Sequence, residues 1–180
     1  MAALRQSTLV DLTNMPAIES RPLPDHALLA RYARAGCYTD CFCTEVKGSI
    51  SCADYVEAFY TTPLFKAERL ILTLAVASPS TDTQARQVAT GTIDRFAAWQ
   101  LEARTDQQLL MCDIFGSTRS WFMVEPVTVG GSPRTRLYFG SAVTKTAMNR
   151  RTFRWLTGFH VLYSKALLNA ARRRIGSEHR

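Results

Sequence analysis

The chain has no apolar run of membrane-spanning length. Its longest helical pattern is interrupted by Arg150, Arg151, Arg154 and Lys165, too many charges for a hydrocarbon core. The N-terminal stretch MAALRQSTLV has one early arginine and no long apolar segment. It does not read as a secretory signal, so a cytoplasmic location is the default expectation. P-loop, G-x-G-x-x-G, G-x-S-x-G and H-E-x-x-H motifs are all missing. Those absences argue against a phosphate cradle, a dinucleotide fold, a nucleophile elbow and a helical zinc site. No cofactor is expected. No internal repeat or low-complexity tract is present, which sets aside solenoids.

Paired cysteines are also missing. The five cysteines (Cys37, Cys41, Cys43, Cys52, Cys112) are odd in number and follow no secretory leader, so reduced thiols are expected. Cys37, Cys41 and Cys43 make a C-x3-C-x-C run with no histidine beside it. That is not a zinc spacing, and no metal is expected. If Cys41 to Cys43 is a strand, the two share one face.

What the chain does have is apolar residues, 47% of 180, enough to bury the core of one domain. Its charge of +7 is uneven. From Lys145 onward there are nine Lys/Arg and one acid, Glu178, while residues 1–144 are nearly neutral. The same segment carries the longest helical signal, over 146–175. Phe153, Leu156, His160, Tyr163, Leu167 and Ala170 recur in steps of three and four, a single stripe. Phe159, Leu162 and Ala166 widen it. Asn149 is placed to cap the start and Gly176 to end the helix. Arg172, Arg173 and Arg174 then fall in the last turn, where cations complement the helix dipole. The alternative is a weak anion-binding site for an anionic partner such as a membrane surface. No aromatics are interleaved with the arginines, which disfavours nucleic acid.

Ahead of that helix the order is legible. Residues 1–36 read as a tail or surface wrap, broken by Pro16, Pro22 and Pro24, with a short helix over 25–35 capped by Asp25 and ended by Gly36. His26 sits in its first turn as an ordinary exposed residue. A β-rich run over 38–47 is the first strand, closed by Gly48. Ser51 with Asp54 opens a helix to about Tyr60. Thr62-Pro63 opens a second helix to about Ala75. Residues 78–91, polar and proline-containing, read as a loop. A four-strand meander follows over 97–105, 108–115, 118–125 and 135–144, with turns at Asp106-Gln107, Gly116-Ser117 and 129–133. In the first of these strands Trp99, Leu101 and Ala103 share a face, opposite Gln100, Glu102 and Arg104.

This order, with the runs WQLEARTDQQLL at 99–110, TRLYFGSAV at 135–143 and GFHVLY at 158–163, resembles the START-like or SRPBCC superfamily. Within it the chain is most similar to bacterial domain-of-unknown-function members. The resemblance spans roughly residues 38–175, within a single domain of 37–176 followed by a tail of 177–180. It implies an α+β helix-grip fold: a curved antiparallel sheet wrapped around the long C-terminal helix, with two short helices after the first strand. It also implies a cavity between sheet and helix for a small apolar or amphipathic ligand. Fold alone fixes no activity.

Under that reading the candidate ligand contacts are Trp99, Asp113, Phe122, Phe139, His160 and Tyr163. His160 and Tyr163 are one helical turn apart on the apolar stripe, so an imidazole and a phenol would share the cavity. Each has an alternative as ordinary core. Asp113, in the apolar run LLMCDIF, needs a partner if buried, and Arg119 across the turn is the expected one. Otherwise it is a strand-end residue beside the hairpin. Three functions follow: a carrier of a small hydrophobic or amphipathic molecule, a cofactor-free cyclase or dehydratase using His160 and Tyr163, or a protein binding an anionic partner through the basic helix end. The oligomeric state is not encoded in any pattern read here.

Overall fold

The computed structural model describes residues 17–67, 69, 79–144 and 151–178, the last helix by its side chains over 161–177. Asn149, the expected helix cap, lies outside these residues. The fold is α+β, an open sheet of seven antiparallel strands with a long C-terminal helix. In chain order the elements are β1 (Glu19–Ser20), α1 (Ala30–Arg34), β2 (Tyr38–Lys47), α2 (Cys52–Tyr60), α3 (Asp82–Thr90), β3 (Arg95–Phe96), β4 (Trp99–Arg104), β5 (Gln108–Asp113), β6 (Thr118–Val129), β7 (Ser132–Val143) and α4 (Arg151–Glu178). The sheet order is β1-β2-β7-β6-β5-β4-β3. The last five strands therefore run as a meander of hairpins, and β2 joins by pairing with β7 along its whole length. Among the described residues no helix is long and apolar enough to cross a membrane.

Local chemistry accounts for the elements. The β6–β7 hairpin turns on Gly130 and Gly131, both left-handed (φ 56° and 78°), so its strands run longer than the sequence reading of that turn allowed. Ser51 caps α2 as expected: its Oγ accepts from Asp54 N at 3.1 Å and donates to the Asp54 carboxylate at 2.6 Å. Thr62 caps the helical stretch at 63–67 by accepting from Phe65 N at 3.2 Å. Of the rest of that second helix only Arg69 is among the described residues.

Four expectations are corrected. The loop over 78–91 is a helix, α3, from 82 to 90. Thr81 and Gln84 close a reciprocal capping box, and Gly91 ends the helix in the left-handed region. The first helix is confined to Ala30–Arg34, with turns rather than helix over 25–29. The C-terminal helix runs through Gly176 to Glu178, so Arg172–Arg174 lie ahead of its last turn and not in it. In β4 a bulge between Leu101 and Ala103 resets the alternation. Trp99 and Leu101 pack on one side of the sheet, and Ala103 packs on the other.

Both sheet faces are covered. On the first, α2, α3 and the C-terminal half of α4 build a core around Phe42, Phe122, Leu137 and Phe139. On the second, residues 23–32 lie over Cys41, Cys43, Leu110, Trp121, Met123 and Tyr138. This cover is pinned by polar side chains. Gln108 accepts from Leu28 N and Trp121 Nε1, each at 2.9 Å, and donates to His26 O at 3.2 Å. Glu102 accepts from Tyr32 Oη at 2.5 Å, from Arg119 Nε at 2.7 Å, and from Arg31. The Arg119 guanidinium also lies 4.8 Å from the centre of the Tyr32 ring.

Candidate functional site

The candidate site is the layer between the first sheet face and the helices. Its centre is aromatic. Phe59 of α2 stacks on Phe139 at 4.8 Å and meets Phe122 edge-on at 4.9 Å. Tyr60 sits 4.8 Å from Phe96 and 5.5 Å from Phe122. Phe122 and Phe139 are thus on the inward face, as their strand positions predict, and they fill the layer beneath α2. Such ring pairs add roughly 0.5–1.5 kcal/mol each beyond the area they bury.

Trp99 shares that face but differs in its polar end. Its ring is half-buried against the core, while its indole Nε1 is buried with no hydrogen-bond partner among the described residues. It follows directly on the Ala97-Ala98 turn, where Ala97 holds φ 51°. A left-handed alanine costs about 1 kcal/mol, and such strain recurs beside working sites.

Ser164 is the residue that sequence reasoning missed. It is 1% exposed, and its hydroxyl also has no hydrogen-bond partner among the described residues. It heads the buried stripe of α4, which continues through Leu168, Ala171 and Ile175. The stripe is therefore rotated from the one read in the sequence. Leu167 is inside and Tyr163 is half-buried against the same core, but Leu162 and Ala166 face outward. The signal was present as a small residue at helical spacing from Leu168. Hydropathy ranks serine as surface, so the pattern favoured Leu162 instead.

The other candidates separate. Asp113 does not pair with Arg119. Its carboxylate accepts from Ser117 N (2.8 Å), Thr118 N (3.1 Å) and Thr118 Oγ1 (2.8 Å), so it holds the β5–β6 turn. Arg119 goes to Glu102 instead. The side chain of His160 lies outside the described residues. The three arginines also part: Arg174 donates to Thr61 O, the C-cap of α2, at 3.0 Å, while Arg172 donates to Asn169 Oδ1 at 2.6 Å.

Burial pushes the Cys41 and Cys52 thiols up to about 12, which keeps them protonated near neutrality. Cys41 and Cys43 share a face as expected, under the N-terminal cover. Among the described residues no group of three His, Cys, Asp or Glu is placed to hold a metal ion.

No family model matches the chain, and no curated protein gives a significant match.

Proposed function

We propose that this protein binds a small amphipathic molecule between the sheet and the C-terminal helix, in the manner of a helix-grip carrier of the START-like kind. The observation that carries the reading is two buried polar atoms with no hydrogen-bond partner among the described residues, Trp99 Nε1 of β4 and Ser164 Oγ of α4. A buried donor without a partner costs about 1–3 kcal/mol, and a ligand acceptor would recover it. The strained turn at Ala97, next to Trp99, supports the same location. Strand order and the long C-terminal helix are compatible with this architecture.

Native mass spectrometry of the purified protein tests it. The expected result is a co-purifying apolar or amphipathic adduct that is lost in Trp99→Phe, which removes the N–H and keeps an aromatic ring. Ser164→Ala is expected to weaken retention while raising the stability of the ligand-free protein by about 1 kcal/mol, because a buried orphan hydroxyl is removed. A clean apo mass with no thermal shift across lipid and aromatic panels, together with a Ser164→Ala variant less stable than the parent, would overturn the reading.

A further inference from the structure

The outer side of α4 carries a second feature that the inner layer does not use. A groove of about 500 Å³ lies between the residues preceding β1 and the helix. That size is within the roughly 300–1,000 Å³ of small-molecule clefts. Its helix wall is Leu162, Lys165, Ala166, Asn169, Arg172 and Arg173, and Ile18 stands across from them. The helix positions step by three and one, so they form one stripe on the side away from Ser164, Leu168 and Ala171.

Two chemistries meet in this stripe. Leu162 is 69% exposed, an uncovered apolar surface that continues through Ala166 to Ile18. Arg172 and Arg173 put two cations beside it, and Lys165, whose ammonium also lies 5.4 Å from the Phe42 ring, adds a third; among the described residues lining the groove there is no Asp or Glu. The Arg172 guanidinium is partly buried and held by Asn169, hence oriented in advance of any ligand. Its proton affinity is lowered by that burial and by the neighbouring charge of Arg173. Among the described residues lining the groove there is no aromatic side chain on which a base could stack, which argues against single-stranded nucleic acid. The groove's short apolar stretch beside the cations matches one alkyl chain with one anionic head.

We infer that this groove binds a free single-chain fatty carboxylate, its alkyl chain along Ile18, Leu162 and Ala166 and its headgroup on Lys165, Arg172 and Arg173. Guanidinium and carboxylate match as planar, two-pronged partners. The site is separate from the inner layer and does not depend on it.

Calorimetric titration with dodecanoate below its micelle concentration tests the assignment. The expected result is binding that weakens with added salt, is lost when dodecanol replaces dodecanoate, and falls at least about tenfold in Arg173→Glu. Leu162→Gln should weaken it as well, whereas Trp99→Phe should leave it unchanged, which keeps this site distinguishable from the inner one. Leu162 and Arg173 are exposed, so these variants should retain the parent's circular dichroism. Dodecanoate binding that both groove variants leave unchanged would overturn the inference. So would the absence of dodecanoate binding alongside Arg173-dependent capture of phosphatidylserine vesicles, which would assign the face to a membrane surface.

Discussion

Gly140 of β7 has no room for a side chain. A Cβ there would lie 2.7 Å from Asp40 O, 3.0 Å from Trp121 and 3.1 Å from Leu29. The first contact is backbone and cannot rotate away. Gly140→Ala must therefore part β2 from β7 or lift the N-terminal cover, and is expected to cost about 1–3 kcal/mol in urea unfolding. At this scale the sequence was legible wherever the period of two held: Trp99, Phe122 and Phe139 all reached the expected face. It failed at Ala103, because a one-residue bulge reverses the faces beyond it and leaves no mark in the composition. It failed again at Asp113, whose partners are backbone groups of the next turn and not a charge. Ser164 was hidden for the opposite reason. Its importance lies in a hydrogen bond it does not make.

Elements whose ends carry specific chemistry were the readable ones, and α3 shows how such a signal can be overlooked. The Thr81–Gln84 box and Gly91 bracket a nine-residue helix, but its buried side is only Ala85, Val88 and Ala89. That weak apolar stripe sits among polar residues, so composition pointed to a loop. The helix is tied down at both ends. Arg104 donates to Ala89 O at 2.7 Å and to Val88 O, satisfying carbonyls at the C-terminus. Asp82 at the other end pairs with Lys66 at 2.5 Å and Arg69 at 2.7 Å. The hydrogen bond from Lys66, opposed by partial burial and helped by Arg69, holds the Asp82 carboxyl below its usual range. A carboxyl depressed in the folded state stabilises above its unfolded pKa of about 4 and loses that contribution as pH falls through the folded value. Asp82→Asn should therefore be less stable than the parent at pH 7, and the difference should close on acidification below the ordinary carboxylate range. Urea midpoints measured from pH 7 to pH 3 check this, and a gap that stays constant would rule it out.

Across the whole molecule, the order of one strand, helices, meander and long helix was readable because sequential antiparallel strands and a periodic helix each leave a pattern. The two-sided burial was not. Residues 23–32 read as a surface wrap and a short exposed helix, yet they hold the second core through Gln108, Glu102 and Arg119, contacts made 70 to 87 residues along the chain. A chain starting at residue 37 would leave Leu110, Trp121, Met123 and Tyr138 uncovered. Such a truncation is expected to bind a hydrophobic dye and to associate more than the full chain does. Light scattering and dye fluorescence would show it, and a monomeric, dye-silent truncation would mean the cover is dispensable.

The pairing of β2 with β7 also governs when the protein can form. Tyr38 to Lys47 find their long partner only at Arg134 to Val143, so the middle of the sheet cannot close until most of the chain exists. During synthesis at roughly 5–20 residues per second, β2 and the aromatic side of α2 wait roughly four to twenty seconds for that strand. Contacts so distant along the chain also favour slow folding. The nascent chain thus passes through a stage at which Phe42, Tyr55 and Phe59 have no strand to lie against, and in that interval the protein is most dependent on whatever shields it in the cell.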